Sequence, residues 1–243
     1  MSTLWQMSRG HAVWRFVRSA PLTFGWLAVL LVTSIYQRAL SRHELHAVIE
    51  HQSTNLHHLA TDPIRVLLAS LLWIDGLWWW PYLLLYSLIL VPAERWLGSL
   101  RWLIVGLLAH VVATYVGEGT LYWAIQEAQA PPRLIRARDV GVSYFLAGMM
   151  GVLTYRFVRP FRWAYLTALV ALVGIALAAD PNFTAVGHFT AVLVGLACYP
   201  LTVGRRTELW DPVRKLRTCV LDRQRHRPPR ALRRTGPGGA GER

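Results

Sequence analysis

The sequence predicts an all-α membrane protein: a bundle of six transmembrane helices with both the N and C termini cytoplasmic. Three observations carry that prediction. Hydrophobic residues make up 54% of the 243, with twelve tryptophans among them. The charges are bunched, and the intervals between them have membrane-spanning length. The basic residues also fall unevenly on the two sides that those intervals define.

The uncharged intervals run from Arg18 to Arg38 (19 residues), Asp75 to Glu94 (18) and Arg101 to Glu118 (16). They continue from Asp139 to Arg156 (16), Arg162 to Asp180 (17) and Asp180 to Arg205 (24). A hydrocarbon core about 30 Å thick needs about 20 helical residues, and flanking arginines that snorkel extend the shorter runs. Segments 1–20, 94–101, 156–162 and 204–243 hold 20 Lys and Arg, against 6 in 37–65 and 119–139. The richer side is the cytoplasmic one, which sets the orientation. Expected localisation is the cell membrane, multi-pass, in a bacterial plasma membrane.

Two domains are expected, a membrane domain over 1–203 and a basic cytoplasmic tail over 204–243. The net charge of +13 lies mostly in that tail, directly after a span, so anionic lipid is its expected partner and nucleic acid is not. Leu209, Val213, Leu216 and Val220 have the spacing of a surface-lying amphipathic helix among Arg214, Lys215 and Arg217. Beyond Arg227 the Pro, Gly and Arg content reads as disorder. Cys198 and Cys219 make no disulfide framework. The first span lacks a small-residue cleavage site and is read as a retained helix.

Between the first and second spans, 37–63 forms an outer loop with His43, His46, His51, His57 and His58. Ser41 is placed to cap a short helix there, which would set His43, His46 and Glu50 on one face. His43-Glu44-Leu45-His46 is one residue short of the zinc-protease pattern, so a solvated loop and no metal are expected. Pro63 to Ile74 is apolar but too short to span, as an interfacial helix would be. Trp73 and Trp78 to Trp80 mark the interface. An outer loop of about twenty residues follows the third span. The fourth span begins at Gly141 and the fifth at Trp163, and Asp180-Pro181-Asn182 turns the chain into the sixth. No internal repeat is visible, which argues against an inverted-repeat transporter.

Polar residues inside spans are costly and mark function. Ser143 falls in the first turn of the fourth span and His188 in the first turns of the sixth. Both helices run in the same direction, so the two residues share a depth. Ser143, Ala147 and Gly151 form one small-residue stripe, and His188, Ala191 and Gly195 form another. Such stripes let helices approach closely and would bring Ser143 within reach of His188. A hydroxyl beside an imidazole is an activated nucleophile, and the helix N-terminus at Gly141 offers backbone N–H groups to an oxyanion. His110, Thr114 and Glu118 form a polar stripe on the third span, either an internal hydrogen-bonded strip or an auxiliary donor or proton path.

Gly141-Val142-Ser143, Gly187-His188 with Ala191 and Gly195, and Glu94-x-x-x-Gly98-Ser99 together resemble the rhomboid family of intramembrane serine proteases, over roughly 64–204. The resemblance implies a six-helix rhomboid-like fold with a Ser143–His188 dyad. It also implies cleavage of transmembrane protein substrates near the outer face, with no cofactor. The chain departs from the family pattern at three places. Tyr144 follows the serine where the family has Gly. Trp78 and Tyr82 stand where the second helix carries His-x-x-x-Asn, the oxyanion donors. Ala147 stands where an aromatic residue packs the histidine. Tyr82, Tyr144 and His110 are therefore auxiliary candidates. The alternative is a catalytically inactive rhomboid-like protein that binds transmembrane helices as clients.

Overall fold

The computed structural model describes residues 11, 14–76, 78–205 and 209–211, and these are helical with no β-strand among them. The chain divides after Leu209 into two units, and the first is described below. The basic tail expected over 204–243, with the amphipathic segment that begins at Leu209, lies mostly outside the described residues.

Each uncharged interval carries a helix. Helix α1 spans Pro21–Ala39, and α5 (Trp80–Leu85), a π-turn (Tyr86–Leu90) and α6 (Val91–Leu97) follow one another without a break. Helix α7 is Ser99–Gln126, α8 Val142–Leu153, α9 Phe161–Ala179 and α10 Phe183–Ala197. Three of them, α1, α7 and α9, are long and apolar enough to cross a membrane. Leu169 is the one fully buried residue of α9, while Trp163, Val170, Leu172 and Ile175 are exposed. An apolar helix with so little buried surface belongs in lipid.

Helix α7 runs past the expected limit at Glu118, because Leu121, Tyr122, Trp123 and Ile125 continue its apolar character. The loop expected from residue 119 is therefore helical for its first third. The 37–63 loop is also more ordered than its polarity suggests. Helix α2 (Arg42–Gln52) starts with a full capping box, Ser41 and Glu44 each accepting from the other's backbone N–H. Helix α3 (Leu56–Thr61) is capped by Asn55. The interfacial segment forms α4 (Pro63–Ala69) with a 3₁₀ turn after it (Ser70–Leu72).

Glu94 explains one motif. Helix α1 follows Ala20, which has no side chain to cap it. Glu94 substitutes, accepting from the Leu22 N–H (3.0 Å), the Thr23 N–H (2.8 Å) and the Thr23 hydroxyl (2.7 Å). The Ser99 hydroxyl donates a fourth bond at 2.7 Å. A carboxylate on a helix N-terminus also complements the helix dipole. Gly98 between them has φ +84°, a conformation that favours glycine, so Glu94, Gly98 and Ser99 are one turn.

Two cores fill the bundle. Trp26, Tyr86, Trp102 and Phe145 form an aromatic one, with Phe145 4.7 Å by ring centroid from both Trp26 and Trp102. Ala109, Ala113, Tyr144, Ala147, Ala191 and Val192 form a second, made mostly of small side chains. There α10 lies against α7 and α8 with backbones nearly touching. A Cβ on Gly195 would strike the Gly148 carbonyl, and one on Gly151 the Val192 carbonyl. This contact fixes α10 beside α8 and so sets where the two candidate catalytic residues stand.

Candidate active site

The first turn of α8 has Gly141 as its N-cap and no side-chain cap. Its leading N–H groups are thus not claimed by a capping side chain, as an oxyanion site requires. The first turn of α10 is capped by the Asn182 side chain, which accepts from the Ala185 N–H at 2.8 Å. Asn182 is itself held by Asp180, whose carboxylate accepts from its amide at 2.7 Å. Ser143 and His188 sit on these two turns and line one cavity of about 460 Å³. Asp180, Asn182 and Thr184 surround its polar end, and Leu146, Met150, Leu172, Val173 and Val192 its apolar length. Helix α9 forms one wall. No hydrogen bond joins Ser143 to His188 among the described residues.

The residue after the serine turns the other way. Tyr144 is fully buried, and its ring meets the His188 ring edge-on, centroids 5.1 Å apart at 65°. It lies over Gly187, where a Cβ would collide with the phenol ring. The Tyr144 hydroxyl donates to Oδ2 of Asp139 at 2.7 Å. An aromatic side chain thus packs the histidine after all, from position 144 rather than 147, and Ala147 lines the cavity instead.

Asp139 is buried in the connection before α8. Its backbone carbonyl accepts from the Thr54 N–H (2.9 Å) and hydroxyl (3.3 Å), tying the α2–α3 cap to the bundle. Burial raises its carboxyl pKa to about 7, with hydrogen bonds from Tyr144 and the Val140 backbone pulling the other way. Glu118 of α7 is buried next to it, with the Leu56 backbone N–H directed at its carboxyl group but no donor in full hydrogen-bonding geometry to either oxygen.

His110 lies elsewhere. Its Nε2 donates to the Leu67 carbonyl at 3.0 Å, the Thr114 hydroxyl approaches Nδ1 at 3.5 Å, and the ring fills the space that Gly141 leaves open. It ties α7 to α4 and to the start of α8, away from the cavity lining. Tyr82 packs on Tyr86 with centroids 6.4 Å apart, against the aromatic core. Of the auxiliary candidates, Tyr144 alone touches His188. Gly151, Ala191 and Gly195 lie in the α8–α10 contact, yet Gly148, which sequence reasoning passed over, and Gly187, read there only as part of the histidine motif, carry as much of it. A second stripe, Tyr144-Gly148-Gly151, was available as the signal. Asp139 was read only as the edge of a span, and nothing in its spacing marks it as Tyr144's partner.

Among the described residues, no three His, Cys, Asp or Glu side chains converge as a metal site would require. The loop histidines pair by ring contact, His51 with His58 and His57 with His58 at 5.5 Å, and His51 lies 2.6 Å from the Arg65 guanidinium.

A family model described as rhomboid-like protein matches residues 15–208. No curated protein and no solved structure matches the chain.

Proposed function

The chain belongs to the rhomboid-like family, and we propose that it is an intramembrane serine endopeptidase cutting transmembrane segments of other membrane proteins. The observation that carries this reading is the shared cavity: Ser143 and His188 face the same apolar groove between α8, α9 and α10. A lipid-side groove of that character suits an unwound transmembrane segment, whose side chains are apolar and whose scissile carbonyl needs polar groups at one end only.

In the proposed reaction His188 accepts the Ser143 proton as Oγ attacks the scissile carbonyl. The N–H groups of the first turn of α8 stabilise the oxyanion. His188 then protonates the leaving amine, and water, deprotonated by the same ring, releases the acyl group. The usual Asn and His donors are replaced by Tyr82 and Trp78, so backbone N–H groups carry a larger share, and a slow enzyme is expected. Losing one such donor costs about 10²–10³ in rate. The reading includes six spans, cytoplasmic termini, a bacterial plasma membrane and cleavage near the outer face. It also includes a division at 203/204 with anionic lipid on the basic tail.

One observation favours the second reading, an inactive protein that holds transmembrane helices in the same groove: Tyr144 occupies the space beside His188, and no bond links that ring to Ser143. Fluorophosphonate labelling in detergent separates the two. Wild-type labelling that disappears in Ser143→Ala and falls about 10²–10⁴-fold in His188→Ala supports the protease. An unlabelled wild type beside a labelled active rhomboid protease sinks it.

A further inference from the structure

Asp139 and Tyr144 are buried polar groups for which the dyad chemistry has no use. We propose that they form a brace that fixes the orientation of the His188 ring, Tyr144 acting as the positioning residue and Asp139 as its anchor; this rests on the proposed Ser143–His188 dyad. The geometry is specific to this pair. The Tyr144 ring lies over Gly187, in space that any side chain there would fill, and edge-on to His188. Its rotation is pinned by the 2.7 Å bond to Asp139, with the Thr184 side chain also directed at the phenol oxygen. Asp139 is pinned in turn through its own backbone carbonyl, which holds Thr54 at 2.9 Å. The brace therefore reaches from the α2–α3 cap, through the connection before α8, to the histidine on α10.

His188 needs such support. Its ring has no hydrogen bond to Ser143 among the described residues, and a general base works only when its nitrogen is aimed at the proton it takes. The Thr184 backbone holds the ring at one point, which leaves rotation about that bond open, and the Tyr144 ring packed edge-on against it restricts that rotation. The charged and titratable groups facing the brace are Glu118 of α7, which lies near Asp139 and Tyr144, and Asp75 in the connection before α5. No cation faces it among those groups, so the Tyr144 hydroxyl is the polar side chain that holds Asp139.

The test uses full-length protein in detergent and two readouts, carbethoxylation of His188 followed by mass spectrometry and fluorophosphonate labelling of Ser143. Tyr144→Phe keeps the ring and removes only the hydroxyl. It is expected to raise His188 modification about threefold, the worth of one hydrogen bond, and to lower labelling about tenfold through misalignment. Asp139→Ala should do the same, whereas Asp139→Asn, which keeps an acceptor for the hydroxyl, should restore both readouts to near wild type. The exposed loop histidines serve as internal controls and should not change. If Asp139→Ala does not fold, Tyr144→Phe carries the test alone. Unchanged His188 modification in Tyr144→Phe overturns the brace, whatever the labelling does. A wild type that never labels, with His188 modification still rising in Tyr144→Phe, removes the dyad and leaves the brace standing.

Discussion

Helix α7 connects two buried carboxyl sites that are treated in opposite ways. Just before its start Glu94 receives four hydrogen bonds, three from the first turn of α1. Nineteen residues along from Ser99, about 29 Å by helical rise, Glu118 lies buried with no donor in full hydrogen-bonding geometry and only the Leu56 N–H directed at it, next to an Asp139 whose one side-chain donor is Tyr144. A satisfied buried carboxylate repays its desolvation and acts as a rivet. An under-satisfied one costs stability and is retained where the site needs it. The difference separates the scaffold end of the bundle, built for holding helices together, from the end whose cavity Ser143 and His188 line.

The comparison is most easily broken at the rivet. Glu94→Ala strips three donor groups on α1 of their acceptor and should cost about 4 kcal/mol, seen as a large drop in melting temperature in detergent, with Glu94→Gln in between. A loss within the error of the melt would mean that α1 is held by other contacts. Gly195→Val tests the α8–α10 contact that links the two ends. The Gly148 backbone cannot yield to a side chain, so about 3 kcal/mol should be lost, together with Ser143 labelling.

Asp139 supplies a pH signature. Its folded pKa of about 7 lies above the ordinary 3.8. The folded state thus binds more protons than the unfolded one between those values, and stability falls as pH rises through that window. The fall should be about 2 kcal/mol between pH 5 and pH 7, and Asp139→Asn should flatten it. A wild-type stability that rises across the same interval would contradict the account. The smallest effect sharpens the contrast furthest. Glu118→Gln should cost nothing or stabilise, by up to about 1 kcal/mol, where Glu94→Gln destabilises. Equal losses at both positions would erase the distinction between the two ends.

Much of this was legible in the residues, for reasons that are themselves physical. Uncharged apolar runs bounded by charged residues announce helices, and each such run holds one, three of them long and apolar enough to cross a membrane. Ser41 announced the start of α2, and Glu94-x-x-x-Gly98-Ser99 marked a turn whose work, capping α1 from 71 and 72 residues away, emerges only in three dimensions. The site was partly legible. Small-residue spacing brought Ser143 and His188 to one cavity, but a one-residue rotation of α8 decides which of Ser143 and Tyr144 faces the histidine, and periodicity near 3.6 does not resolve one residue. The Asp139–Tyr144 bond depends on a connection between helices, where sequence periodicity carries no information.

The most direct test of the catalytic claim is reconstitution of wild type and Ser143→Ala into vesicles with a panel of single-pass transmembrane segments, followed by mass spectrometry of the products. The account predicts that wild type cuts at least one segment near the end of the bundle that holds Ser143, and that Ser143→Ala binds the same segment without cutting it. Segments that bind equally to both proteins and stay whole with both would contradict it, and would make the groove a holding site for helices.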